Sequence, residues 1–296
     1  MDAALNSKCA DLFVNDWINN SHEILYEHVQ SINDETNNVI LRFKTIQAPI
    51  VKAAFKVYEH LKEHLKPQKV RKHTKYMAIM LYDEFLHKYF IKLCKTRLVN
   101  GPLEEQWDNI YNEIINKTKL HLLSCFQLAL KMDKACAIIE ISEILNLLNV
   151  DHEETYTYDA IIAAEYDVFR TVDFKMPLNT PITCVETLLA AANLESKIYR
   201  KTAAVLLDIS FLQWEELYSQ FQEKTQKHVE SINLKKSTFL RLNILFLSAA
   251  VVTCTTFFHN NDATKHVVEI LAEKSLSRKT NIMIMANILF QMAIEN

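Results

Sequence analysis

The sequence predicts an all-α protein, and three observations carry that prediction. A single glycine, Gly101, stands in 296 residues, where average usage would place about 20. No run of period-2 alternation appears, so strands are not supported. Apolar residues recur instead at helical spacing, between prolines, Asn pairs and capping hydroxyls. Codon bias does not account for the missing glycine, because alanine codons are equally GC-rich at their first two positions and 24 alanines are present. The scarcity also excludes function classes. Phosphate-cradling loops need glycine for close backbone approach, and G-x-G-x-x-G, G-x-x-x-x-G-K-[ST] and G-x-S-x-G are all absent.

Residues 9–45 are apolar at helical spacing but interrupted at Asn19-Asn20 and Asn37-Asn38, and Ser21 caps an expected helix to Ile32. This makes 1–48 an N-terminal helical arm. Pro49 occupies the expected first position of a new helix that runs to Leu65 and stops before Pro67. The next is expected from Thr74 to Leu98, ended by Asn100-Gly101-Pro102, where the lone glycine suits a left-handed cap. Helices follow at 107–132, 137–149 and from Glu153 to Phe174. Pro177 and Pro181 then fall close together in KMPLNTPIT, an expected interdomain joint. Beyond it the helical pattern resumes at about 183–193, 196–225, 236–258, 263–274 and 278–294. The expected domains are 49–176 and 177–296, five helices each.

Formal net charge is −3, from 33 basic and 36 acidic residues, with 49% apolar content. That balance makes no electrostatic case for nucleic acid or an anionic membrane. The run Leu242–Phe258 is uncharged for 17 residues. That is short of the roughly 20 a bilayer span needs, and a buried core helix is expected. Cys9, Cys94, Cys125, Cys136, Cys184 and Cys254 form no C-x-x-C pair and are expected reduced and mostly buried. The N-terminus has no basic-then-apolar signal peptide.

The arrangements that could carry catalysis each have a structural explanation. His60-Leu61-Lys62-Glu63-His64 matches H-x-x-E-H, which places two imidazoles one helical turn apart, as a metal requires. Lys56, Glu59, Lys62 and Glu63 around them make a solvated helix face the simpler reading, and no metal or cofactor is expected. His121 and Cys125 share a face but lack oxyanion donors nearby. Glu104-Glu105 and Glu153-Glu154 sit at helix starts, where they complement the dipole. Tyr156, Tyr158 and Phe257-Phe258 read as packing residues, since no basic stripe accompanies them.

Residues 119–189 resemble the second half of a cyclin box. LHLLSCFQLALKM is similar to the buried third helix, which in cyclins ends in Ala-x-Lys; the lysine here is Lys131. AAEYDVFRTVDFKMPLNTP is similar to the fifth helix and its exit, with Glu165, Val168, Phe169, Phe174 and Asn179-Thr180-Pro181 in matching order. PIVKAAFKVYEHL and MAIMLYDEFLHKY resemble the first two helices. The resemblance covers about 49–195 well and 196–294 weakly. It implies two tandem cyclin-like five-helix domains and a non-catalytic regulator that binds a cyclin-dependent kinase through Lys131 and Glu165. Tyr166, Phe169 and Phe174 would line the same groove. It further implies a nuclear role in meiotic crossover maturation. Recombination or clamp-loading factors are the alternative partners, for an adaptor that activates no kinase. The first helix departs from cyclins that recruit Arg-x-Leu substrates. It reads Val51-Lys52-Ala53-Ala54-Phe55, with Val57 where an Asp is usual and Tyr58 in the place of a Trp.

Overall fold

The computed structural model of the chain describes residues 37–64, 70–98, 103–133, 139–148, 156–226 and 243–295. Among these, every regular element is helical. The elements are α1 (Asn37–His64), α2 (Lys72–Leu98), α3 (Leu103–Met132), α4 (Ile141–Leu148), α5 (Tyr158–Thr171), α6 (Pro181–Ala191), α7 (Lys197–Leu212), α8 (Trp214–Gln226), α9 (Ile244–His259), a 3-10 turn (Asn261–Ala263), α10 (Thr264–Lys274) and α11 (Lys279–Glu295). Two compact units divide at Thr180/Pro181. One runs from Pro49 to Thr180. The other holds the described residues from Pro181 onward, together with those of 37–48.

In the unit from Pro49 to Thr180, α3 is the central helix. Residues 120–130 are buried on every side, against α2 on one flank and α5 on another. An all-round apolar helix can only be a core helix, and its few polar groups are satisfied locally. Ser124 donates to the Leu120 carbonyl at 3.0 Å, and Thr118 to that of Ile114 at 2.8 Å. The Tyr82 hydroxyl of α2 donates to Thr118 at 3.2 Å. Burial holds that phenol far above its ordinary range. His121 is 5% exposed and meets the Phe85 ring edge-on at 4.7 Å and the Tyr89 ring at 5.5 Å.

In the other unit the central helix is α9, whose residues 245–256 are all buried. It packs on α6, α7, α10 and α11. Asn243 caps it, accepting the Phe246 N–H at 2.9 Å. Thr255 donates to the Val251 carbonyl and Thr256 to that of Thr253, so these hydroxyls lie in the core without cost to water-lost bonds. The uncharged run is therefore a core helix. Among the described residues no helix is long and apolar enough to cross a membrane.

The structure corrects two expected boundaries. Helix α1 does not start at Pro49 but runs through it from Asn37. Proline keeps a helical φ but forfeits one backbone bond and crowds the carbonyl four residues back, so here it costs stability without ending the helix. The expected helix 196–225 breaks at Gln213, whose backbone leaves helical geometry (φ −114°, ψ 31°). Trp214 then packs at the corner on Phe211 (5.4 Å) and Tyr218 (4.5 Å). The helix expected from Ser21, and Gly101, lie outside the described residues.

Among the described residues, helix ends close without glycine. Three helices finish in a Schellman motif, with paired 6→1 and 5→2 bonds. After α6 the left-handed residue is Asn193 (φ 56°), with Leu194 N–H to the Leu189 carbonyl at 2.8 Å. After α10 it is Leu276 (φ 50°), with Ser277 N–H to the Ala272 carbonyl at 3.1 Å. After α5 it is Asp173 (φ 54°), with Phe174 N–H to the Phe169 carbonyl at 2.9 Å.

Candidate functional site

A cleft of about 810 Å³ opens between the C-terminal turns of α3, the N-terminal part of α4 and the outer face of α5. Leu128 of α3, Ile141 and Leu145 of α4, and Ile162 of α5 form its apolar lining. The elements place these side chains by simple periodicity. Tyr158, Ile162 and Tyr166 recur every fourth residue, so they form one ridge along α5. All three are exposed, at 57%, 47% and 58%. The opposite face, Ile161, Ala164 and Val168, is buried in the core. Thr157 fixes where the ridge begins, its side chain accepting the Ala160 N–H at 3.3 Å.

Lys131 and Glu165 form an ion pair across this cleft, from the last turn of α3 to the middle of α5. The lysine side chain is 43% exposed and the carboxylate 18%. A half-exposed pair of this kind contributes little to stability, about 0–1 kcal/mol. Both groups keep donor and acceptor capacity beyond the one bond they share. The end of α3 is itself anchored. Asp133 is buried; it accepts a 2.7 Å hydrogen bond from Thr74 and faces Arg71 at 3.5 Å.

The structure thus brings together Lys131, Glu165, Tyr166 and Phe169 along one cleft. Phe174 lies just beyond, its ring edge-on to Phe169 at 5.0 Å, and is 56% exposed. Sequence reasoning missed Tyr158 and Ile162, and Tyr158 is not the packing residue expected of it. Their spacing with Tyr166 was the available signal. It also missed Leu128, Ile139, Ile141 and Leu145, whose convergence depends on how α3 and α4 fold together.

Other candidates are placed differently. Cys125 is fully buried and burial pushes its thiol well up, while burial holds His121 down at about 4. Both are neutral near pH 7, so they make no thiolate–imidazolium pair. His60 is half-buried on α1, and the side chain of His64 lies outside the described residues. Among the described residues no three His, Cys, Asp or Glu side chains cluster as metal ligands. On α1, Tyr58 is buried, and the rings of Phe55 and Tyr58 cover the buried Lys75 ammonium at 3.9 and 4.9 Å.

The chain is 24% identical over 210 residues to human cyclin N-terminal domain-containing protein 1, covering 67% of this chain and 63% of the relative. Its mouse counterpart is 23% identical over the same spans. Cyclin-D5-1 of Arabidopsis thaliana is 29% identical over 133 residues, 45% of this chain and 34% of that protein. The match thus spans less than two thirds of the length of these relatives. No protein-family profile matches the chain, and no solved structure does. The chain resembles the cyclin family in sequence and is all-α, and its relatives support a cyclin-family regulatory role.

Proposed function

We propose that this chain is a non-catalytic cyclin-like regulator that binds a cyclin-dependent kinase through the α3–α4–α5 cleft. The observation that carries the reading is the Lys131–Glu165 pair at the rim of an apolar cleft with an exposed Tyr158–Ile162–Tyr166 ridge. The floor suits an amphipathic helix of the partner. The lysine can donate to backbone carbonyls and the carboxylate can accept backbone N–H groups, so each neutralises the other until a kinase arrives. Tyr166, Phe169 and Phe174 are the aromatic anchors of this reading. Regulation would be a population shift, the cleft binding the kinase's active arrangement better than its inactive one. The unit from Pro181 onward is then a second, divergent cyclin-like domain. As part of the same proposal, and resting on the family resemblance alone, the protein acts in meiotic crossover maturation, in the nucleus.

A second reading, a cyclin-fold adaptor for recombination or clamp-loading factors, is favoured by one observation. The α1 face that would dock Arg-x-Leu substrates instead seals a buried lysine beneath Phe55 and Tyr58. Co-purification decides between them. The wild-type chain and Lys131→Ala/Glu165→Ala are used to capture partners from meiotic tissue, read by mass spectrometry. Kinase peptides lost with the double variant support the first reading. Undiminished kinase capture by the double variant rejects the cleft, and recombination factors alone support the adaptor.

A further inference from the structure

The exit turn of α5 holds two successive residues in the left-handed region, Asp173 (φ 54°) and Phe174 (φ 59°). Asp enters that region readily, often by local hydrogen bonding; a bulky aromatic residue does so against its Cβ sterics. Strain of this kind persists only where surrounding structure over-determines it. Core burial does not supply the constraint at Phe174, which is 56% exposed. Three other partners, Phe169, Val172 and Lys88, supply it. The Phe174 N–H reaches the Phe169 carbonyl at 2.9 Å, and the two rings meet edge to face at 86°. The Lys175 N–H reaches the Val172 carbonyl at 3.0 Å. The third comes from a different helix. Lys88 of α2, 85 residues away in sequence, donates to the Asp173 carboxylate at 2.9 Å and also lies 3.1 Å from Glu84.

The charges on this clamp reinforce one another. Partial burial pulls the Lys88 pKa down, but its bonds to Asp173 and Glu84 outweigh that and the net shift is upward. The Lys88 bond in turn draws the Asp173 carboxyl below its ordinary range. Both groups are therefore ionised across the physiological range.

The geometry points to Lys88 as a positioning residue for the partner-binding face: by holding Asp173 it fixes the double left-handed turn that projects the Phe174 ring beside the cleft. This deepens the kinase-binding reading and rests on it for the identity of the partner. The logic is pre-organisation. A ring held in place before binding loses less freedom on binding than one on a relaxing turn. Because the turn is strained, even an ion pair of surface strength is enough to bias it.

The test uses the full chain and the variants Lys88→Met, Lys88→Arg and Phe174→Gly. Two measurements are made: affinity for a panel of recombinant cyclin-dependent kinases, and fluorine NMR of chain labelled with 4-fluorophenylalanine. The Phe174 resonance is assigned by its loss in Phe174→Gly. Lys88→Met keeps the lysine stem and is expected to shift the Phe174 resonance and weaken kinase binding about fivefold, the effect of one exposed ion pair. Lys88→Arg restores both. Phe174→Gly is expected to bind more than about tenfold more weakly while melting close to wild type, because relief of the positive-φ cost offsets the lost Phe169 ring contact and the greater freedom of the unfolded chain. A Phe174 resonance unmoved by Lys88→Met, or unchanged affinity beside a wild type that binds, overturns the positioning role. If no kinase binds even wild type, the kinase reading fails, and the fluorine shift alone then upholds or overturns the role of Lys88.

Discussion

The Thr74 hydroxyl donates a 2.7 Å hydrogen bond to the buried Asp133 carboxylate, joining the first turn of α2 to the residue after α3. Asp133 N–H also continues the α3 ladder to the Ala129 carbonyl at 3.0 Å, so its position is set from both sides. The carboxylate faces the N-terminal end of α2, where negative charge is favourable. Asp133→Ala leaves the fully buried Thr74 hydroxyl without this acceptor. The expected loss is about 2–3 kcal/mol, read from urea denaturation, with Asp133→Asn losing less because the amide oxygen still accepts. Equal stability of all three chains would reject the anchoring role.

This anchor also shows what was legible in the sequence. Helix identity was legible nearly everywhere, because α5 carries a clear 3.6-residue apolar period, while α2 and α9, which carry almost none, are long apolar runs without strand-like alternation. Lys131 and Glu165 were legible only through an ordered family resemblance; in isolation they are one Lys and one Glu 34 residues apart. Asp133 reads in sequence as one more charged loop residue, and its burial follows from where α2 happens to begin. The Lys88–Asp173 clamp is invisible for the same reason. Pro49 misled because its preference for a first turn is statistical, whereas its φ is compatible with any helical position. The split at Gln213 misled because both halves continue the same apolar period.

His121 carries a pH prediction. Its imidazole lies among Phe85 and Tyr89, with Asp167, Lys117 and Glu113 as the charged groups around it. Burial is the dominant effect and lowers its pKa to about 4, from 6.5 in an unfolded chain. The unfolded state therefore binds the proton first. Stability is fully present above pH 6.5 and falls as pH drops from there toward 4, by about 3 kcal/mol if His121 acts alone. Urea unfolding of wild type and His121→Phe at pH 7.5 and 4.5 checks this. The variant is expected to lose clearly less stability over the interval, and parallel losses would reject the assignment.

The described thiols should be inert in the folded protein. Cys94, Cys125, Cys184 and Cys254 are all buried and unbridged. Burial pushes Cys184 up to about 12, and Cys94, Cys125 and Cys254 also lie above their ordinary value. The thiolate is the reactive species, so these four are both inaccessible and protonated near pH 8. With Cys9→Ser/Cys136→Ser as background, an aromatic disulfide reagent is expected to react only at the rate of global unfolding, then release four equivalents in denaturant. A fast equivalent in the native chain would contradict the packing around that cysteine.

Leu276 offers the most direct use of the missing glycines. It is the left-handed residue that closes α10, with φ 50° and its N–H on the Glu273 carbonyl at 3.3 Å. Its side chain is 76% exposed, so it contributes little burial in return for its backbone strain. A γ-branched residue at this position bears a steric cost of roughly 1–2 kcal/mol that glycine avoids. Glycine gives part of that back through the greater freedom of the unfolded chain, roughly 0.5–1 kcal/mol. Leu276→Gly should therefore stabilise the chain by up to about 1 kcal/mol, and Leu276→Asn by less. Asn193→Gly should gain only a few tenths, since asparagine already tolerates this region. Thermal unfolding of the three variants beside wild type ranks them. The order Leu276→Gly above Leu276→Asn above wild type is the expected outcome, and a destabilised Leu276→Gly would mean that the leucine side chain is held by a contact its exposure does not suggest.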